Sequence, residues 1–362
     1  MRTRTFLLAF MMSSVAAAPR ASDALVAELG LEVSPVASRD LPGWRVPKKV
    51  VAPGSDPARL AFLREALPGV EVVGASSAEE AAAAAPGAEV VLGFCTPAVV
   101  AAAKDLKWIQ VMSAGVEHCV SIPEVRERKL VITNMQRVMG PVIAEHVIGM
   151  ALALNRGFPA YLSRQPAGAW DPDAAPGLRV LKGKTMLVAG LGGIGTEVAR
   201  RAHALGMRVV ATRASGKTGP DFVSYVGLPD ELLKLAAEAD VVVNALPLTP
   251  ATTNLFDAKF FAAVKHGATF VNVGRGKSVA TDALVAALRE GKLAGAGLDV
   301  TEPEPLPKDH PLWRLPNVIV TPHVAAQSDL GRETQWRIAR ENLRRYVAGE
   351  PLLSVVDAGR GY

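Results

Sequence analysis

Three polar residues stand just past three apolar runs in the second half of the chain. Arg275 follows "FVNVG", Glu304 lies in "TEPEP" beyond "GLDV", and His323 follows "NVIVTP". A carboxylate beside an imidazole favours the charged ring, so such a His can hold and deliver a proton near neutral pH. A guanidinium can clamp a carboxylate and polarise an adjacent carbonyl. Beside a hydride donor, these parts suffice for reversible reduction of a 2-keto acid. Each has a plainer reading when taken singly: Arg275 as a turn residue, Glu304 as a surface acid among prolines, His323 at a helix N-terminus. Three together, each at a strand end able to face one crevice, make the stronger signal.

A place for the hydride donor is written upstream. Gly190, Gly192, Gly193, Ile194 and Gly195 belong to "GLGGIG", which fits G-x-G-x-x-G. The motif follows the apolar "TMLVA" and opens an Ala-rich helix, the context that makes it a dinucleotide turn. The first Gly permits the tight turn, the second admits a pyrophosphate to the backbone, and the third lets helix and strand pack closely. The phosphates then meet free N–H groups at a helix N-terminus. An acid that bonds both ribose hydroxyls belongs at the end of the next strand. Arg213 stands there instead, at the end of "RVVAT", with Ser215 and Lys217 after it and no Asp or Glu between Met207 and Pro220. An acid would repel a 2′-phosphate, whereas a guanidinium can bind one. The expected cofactor is therefore NADP(H), with NAD(H) possible. The plainer alternative is an exposed Arg at a strand end.

The elements that must position these residues alternate between strand and helix. "KKVVAP", "VEVVGA", "AEVVLGF" and "KWIQVMSAG" read as strands, with helices in "DPARLAFLREAL", "SAEEAAAAA" and "TPAVVAAAKDL", the last capped by Thr96 with Pro97 in its first turn. A second run follows, "TMLVAG", "RVVAT", "DVVVNAL", "ATFVNVG", "AGAGLDV" and "NVIVTP". The fold class is α/β, with two doubly wound parallel-sheet domains around a cleft: a Rossmann-type nucleotide domain and a flavodoxin-like substrate domain. Expected boundaries are an N-terminal extension over 1–45, the first part of the substrate domain over 46–155, the dinucleotide-binding domain over 156–324, and a C-terminal helix and tail over 325–362 that return to the substrate domain. The apolar helix "GPVIAEHVIGMALALNR" is expected between domains or in a subunit interface.

Composition narrows the partners. The 362 residues are 49% apolar, which permits large cores, and only 5% aromatic, so Ala, Val and Leu must fill them. The net charge of +5 is mild. The one basic cluster, Arg332, Arg337, Arg340, Arg344 and Arg345, has helical spacing and is expected as a solvated face. Trp336 is the one aromatic among them, too little interleaving to speak for nucleic acid. Cys95 and Cys119 lack metal-ligand spacing and a disulfide framework, and are expected as small buried side chains. No metal is expected. Arg2 and Arg4, the apolar run 6–12 and Ala16-Ala17-Ala18 resemble a secretory signal, although Pro19 is awkward for cleavage there. The run is too short to span a membrane, and a mistaken start site or a disordered extension explains it equally well. Residues 19–45 read as linker.

The chain resembles the D-isomer-specific 2-hydroxyacid dehydrogenases, especially glyoxylate/hydroxypyruvate reductases, over about residues 48–349. The resemblance rests on "SAGVEH", "IAEHVIGMALALNR", "GLGGIG", "LPLTPATTNL", "FVNVGRG", "GAGLDVTEPEPLP" and "NVIVTPHVAA" taken together. It implies that His323 is the general acid in reduction, supported by Glu304, and that Arg275 holds the substrate carboxylate and carbonyl. It further implies carboxylate binding by backbone N–H groups around Ala114 and Gly115. Asp299 would hold the nicotinamide carboxamide, and Pro247, Thr252 and Val273 would line the cofactor. A discontinuous substrate domain is implied too, and a homodimer in which Trp170 can reach toward the neighbouring site. Lys277, Ala280 and Thr281 depart from the usual pattern at the active-site rim, and the first 45 residues have no counterpart. The expected activity is reduction of a small 2-keto acid to the D-2-hydroxy acid. A dinucleotide-sensing binding protein on the same fold is the alternative. Cofactor supply favours the cytoplasm, while the N-terminus points to export.

Overall fold

The computed structural model describes residues 21–54, 56–175, 177–329 and 331–357. The signal-like stretch 1–18 lies outside them. The segment expected as linker is ordered instead: helix α1 spans Ala21–Leu29 and strand β1 spans Val33–Ala37. Leu25 and Leu31 are buried in the core, and β1 pairs antiparallel with the C-terminal strand Pro351–Leu353. Composition concealed this because the strand's partner lies at the other end of the chain.

The first sheet is five-stranded, in the order β3-β2-β4-β5-β6. Its strands are β2 (Lys49–Pro53), β3 (Glu71–Ala75), β4 (Val90–Leu92), β5 (Trp108–Gln110) and β6 (Val131–Thr133), all parallel. Buried valines run along β2 and β4, as expected for strands covered on both faces. Helix α2 (Pro57–Arg64) is capped by Asp56, α3 (Ala78–Ala84) by Ser77, and α4 (Pro97–Ala102) by Thr96, whose hydroxyl accepts from the Val99 N–H. Each cap takes an N–H that the helix leaves unpaired. Two short helices, α5 (Glu117–Val120) and α6 (Pro123–Glu127), lead to β6.

Helix α7 (Gly140–Asn155) leaves this domain and packs on the second sheet, and α8 (Phe158–Arg164) follows it. Seven parallel strands make that sheet, in the order β13-β12-β11-β10-β7-β8-β9. In chain order they are β7 (Thr185–Ala189), β8 (Arg208–Thr212), β9 (Tyr225–Gly227), β10 (Val241–Asn244), β11 (Ala268–Asn272), β12 (Leu293–Leu298) and β13 (Val318–Val320). Helices α9 (Gly193–Ala204), α10 (Leu232–Ala236), α11 (Ala258–Ala263) and α12 (Thr281–Arg289) connect them. The chain adds β8 and β9 on one side of β7 and then β10 on the other. That reversal opens a crevice at the carboxyl ends of β7 and β10, where ligands bind in such sheets. Four of the aromatics form one cluster: Phe256, Phe260, Phe261 and Phe270 pack edge to face beneath this sheet.

Helix α13 (Gly331–Val347) returns to the first sheet, and β14 (Pro351–Leu353) completes the pairing with β1. Tyr346 stacks on Trp108 at 5.1 Å, and the Asn342 amide donates to Gln110 at 2.9 Å. The arginines of α13 are not a uniform solvated face. Arg345 is buried, donating to Glu341 at 2.7 Å and to the Pro351 carbonyl, because β14 packs against its face of the last turns of the helix. A second correction concerns the cysteines. Cys95 and Cys119 are buried, as expected, but they are bonded to each other with Cα atoms 5.3 Å apart. The bond ties α5 to the turn after β4. Among the described residues no helix is long and apolar enough to cross a membrane, and no cluster fit for a metal occurs.

Candidate active site

The glycine turn joins β7 to α9 at the crevice. Gly190 has φ of 95°, a backbone that L side chains rarely adopt. Its N–H and that of Leu191 donate to the Thr212 carbonyl at 3.2 and 3.0 Å, which ties the turn to the end of β8. A Cβ on Gly195 would stand 1.9 Å from the Gly190 carbonyl oxygen, so only glycine lets the helix approach so closely. Space above Gly192 is open, and no side chain caps α9. Its first N–H groups and the positive end of the helix dipole are thus available to an anion. The turn fits a dinucleotide pyrophosphate.

Arg213 sits at the end of β8, its N–H bonded to the Gly227 carbonyl and its guanidinium to the Thr218 carbonyl at 3.3 Å. An acid does reach this corner, from beyond β9. Glu231 pairs with Lys217 at 2.6 Å and accepts from the Tyr225 hydroxyl. Those bonds, that from Lys217 foremost, hold its carboxyl at about 2. Its charge is therefore met by a lysine rather than by a ribose. Sequence reading missed it because the distance along the chain hides the adjacency of β8 and β9.

Strands β11, β12 and β13 are in register at their ends, Asn272 beside Leu298 beside Val320. The three loops that leave them therefore lie side by side, and they carry Arg275, Glu304 and His323. His323 Nδ1 is 2.7 Å from Glu304 Oε1. The His323 backbone has a left-handed φ of 54°, and its N–H donates to the Asp299 carbonyl at 2.8 Å. Asp299 is nearly fully buried and clamps the same loop, accepting from the Thr321 hydroxyl and from the N–H groups of Val324 and Ala325 at 2.6, 2.9 and 3.0 Å. His146 reaches in from α7 to hydrogen-bond the Thr321 hydroxyl at 3.0 Å. The carbonyl of Arg275 accepts from Asn272 and Ser278, which fixes that turn.

From the first domain comes the turn "SAGVEH". The Asn134 amide donates to the Ala114 carbonyl, and the Ser113 hydroxyl to that of Gly115, each at 2.8 Å. Glu117, at the start of α5, meets the Arg275 guanidinium across the cleft, with Nε to Oε1 at 3.1 Å and NH2 to Oε2 at 3.3 Å. A cavity of about 690 Å³ separates the two sides. Ala114, Gly115 and Glu117 line it from one domain, and Arg275, Glu304 and His323 from the other. Ile194, Val273 and Asp299 line it too, as does the exposed Lys277. Gly190, Gly192, Gly193, Gly195 and Arg213 do not; they follow the nucleotide edge of the sheet. Pro247 and Thr252 form the turn after β10, where the Thr252 hydroxyl donates to the Pro247 carbonyl at 2.7 Å. Glu117 and His146 were not singled out from sequence, although both lie within the quoted motifs "SAGVEH" and "IAEHVIGMALALNR". Only their tertiary partners give them a role.

The D-isomer specific 2-hydroxyacid dehydrogenase NAD-binding domain family matches residues 148–325. A human protein named glyoxylate reductase/hydroxypyruvate reductase is 34% identical over 261 residues, covering 70% of this chain and 78% of that one. A D-isomer specific 2-hydroxyacid dehydrogenase family protein from Aeromonas salmonicida shares the structure with a TM-score of 0.75 at 34% identity, over 86% of this chain and 99% of that one. A D-isomer specific 2-hydroxyacid dehydrogenase from Xanthobacter autotrophicus, solved in complex with NADPH and MES, gives a TM-score of 0.74 at 31% identity, over 88% and 100% of the two chains.

Proposed function

The chain belongs to the D-isomer specific 2-hydroxyacid dehydrogenase family, and from that premise we propose that it is an NADPH-dependent reductase of a small 2-keto acid, of the glyoxylate or hydroxypyruvate type. The observation that carries this reading is the His323–Glu304 pair, 2.7 Å apart, in one cavity with Arg275 and the Ala114–Gly115 turn. In it, the substrate carboxylate lies between the Arg275 guanidinium and the N–H groups of Ala114 and Gly115, which have no protein acceptor among the described residues. A nicotinamide held by the nucleotide domain would supply hydride chemistry at the carbonyl carbon. His323 gives the carbonyl oxygen its proton from Nε2, while Glu304 at Nδ1 fixes the tautomer and stabilises the ring's charge. Arg275 polarises the same carbonyl. The product is the 2-hydroxy acid.

The glycine turn would hold the pyrophosphate. Pro247, Thr252 and Val273 would flank the cofactor. A carboxylate offers about four acceptor positions; three at Asp299 are used by its own loop, which leaves one for the nicotinamide carboxamide. Preference for NADPH rests on Arg213 and on Lys217 balancing Glu231. The Xanthobacter relative, too, was solved in complex with NADPH. A homodimer is supported by the exposed apolar side chains on α8 and beyond it, Phe158, Leu162 and Trp170, the last 96% exposed. Sedimentation as a monomer would overturn that assignment. Cofactor supply favours the cytoplasm, whereas the Cys95–Cys119 bond, of a kind that persists in oxidising compartments, and the signal-like N-terminus favour export; a mature N-terminus just past Ala18 would decide for export.

The decisive experiment follows NADPH oxidation with a panel of 2-keto acids. Turnover of at least one is expected. Dinucleotide binding without turnover of any would instead favour a sensing protein.

A further inference from the structure

We infer that Glu117 is the positioning residue for Arg275, holding its guanidinium from across the cleft so that one edge faces the substrate carboxylate. The inference rests on the reductase reading above and extends it to a residue of the other domain. A guanidinium has five N–H donors in a fixed plane. Glu117 takes the side formed by Nε and NH2, at 3.1 and 3.3 Å. One NH1 hydrogen goes to the Gly274 carbonyl at 2.8 Å. One donor on NH1 and one on NH2 are left, and these form a two-pronged edge that fits a second carboxylate side by side. The long Arg side chain would otherwise lose rotamer freedom on binding substrate. With Glu117 in place that ordering precedes binding.

The surroundings of Glu117 favour a fixed support over a place-holder that the substrate pushes aside. Glu117 opens α5, whose residue Cys119 is bonded to Cys95 at the end of the β4 turn. The N–H groups of Cys119 and Val120 both donate to the Val116 carbonyl, at 2.8 and 3.0 Å. The helix that carries the carboxylate is therefore pinned by a covalent bond and by its own first turn. The opposite side is equally close. A Cβ on Gly115 would stand 1.8 Å from Arg275 NH2 and 2.7 Å from Glu117 Oε2. Absence of a side chain there brings the guanidinium against the same turn that offers N–H groups to the substrate. Glu117 thus joins the two halves of one carboxylate site, contributed by two domains.

A double-mutant cycle on the full chain tests this, with Glu117→Gln, Arg275→Gln and both together, each assayed for KM and kcat with the best 2-keto acid and for NADPH affinity by fluorescence. Glu117→Gln is expected to raise the acid's KM about tenfold or more, with a smaller fall in kcat and NADPH affinity within about twofold of the parent. In the Arg275→Gln background the same change should cost almost nothing, because the residue acts through Arg275. Glu117→Asp, which keeps the charge at shorter reach, should recover part of the loss, and carries the cycle if the Gln variant does not fold. A fall in KM would show a displaced place-holder and overturn the inference. An equal loss in both backgrounds, or parallel loss of NADPH affinity, would show a merely structural residue and overturn it as well. A parent protein that turns over no 2-keto acid would instead bring down the reductase reading, and this inference with it.

Discussion

His323 presents Nδ1 to Glu304 at 2.7 Å, and Nε2 has no protein partner among the described residues. The ring's tautomer is thereby set by the carboxylate, with Nε2 the atom able to exchange a proton with substrate. Replacing either partner should therefore strike kcat. His323→Gln is expected to lower kcat by about 10²–10⁴, the usual reach of general acid–base catalysis. Glu304→Gln should lower it by less, since an amide still orients the ring but stabilises no charge. Steady-state rates with NADPH in excess measure both, and an unchanged kcat in His323→Gln would exclude the proposed proton donor.

Cofactor choice should follow Arg213. Removing a charge-assisted contact to a 2′-phosphate costs roughly 1.5–3 kcal/mol, so Arg213→Asp should lower kcat/KM for NADPH by about 10- to 100-fold. The same variant should gain with NADH, because the new carboxylate can accept from ribose hydroxyls. Comparable use of both cofactors by the parent protein would count against the assignment.

Acid should act on the corner beside Arg213. The Glu231 carboxyl is lowered from its ordinary 4.5 to about 2, chiefly by its bond to Lys217. A depressed carboxyl stabilises the fold above its unfolded value and loses that contribution as pH falls through its folded value. The effect is thus present above about pH 4.5 and fades between there and about pH 2. The pair is solvent-facing, so salt should weaken it. Thermal melts across that range should fall less steeply in Glu231→Gln than in the parent, and parallel curves would refute the pairing.

The Cys95–Cys119 bond should be measurable directly. Thiol titration of the unfolded, unreduced protein is expected to find no free cysteine. Changing both residues to Ser should lower stability by about 2–4 kcal/mol, typical of a lost disulfide. Because α5 carries Glu117, the same variant should raise the acid's KM while leaving NADPH affinity close to the parent's. Two free thiols in the native protein would overturn this prediction.

Much of the architecture was legible in the residues alone. Apolar runs broken by capped helices, such as Thr96 before Pro97, announce parallel strands because period and capping are local properties. The glycine turn was legible for the same reason: tight backbone, close packing and a helix start are all encoded within six residues. Arg275, Glu304 and His323 could be proposed because each lies in the loop that leaves a recognisable strand. What the residues could not disclose was adjacency. Strand β1 looked like linker, since its hydrogen-bond partner β14 lies at the far end of the chain. Cys95 and Cys119 looked separate, Glu231 looked remote from Arg213, and Glu117 looked like one more acid. Each of these pairings depends on which strand ends the sheet order sets side by side, and on how the two domains face each other. The sequence by itself determined the fold class and the chemical groups on offer. Only the tertiary structure decided which groups meet, because a carboxylate, a guanidinium or a thiol takes its role from its neighbour in space, and chain distance carries no record of that neighbour.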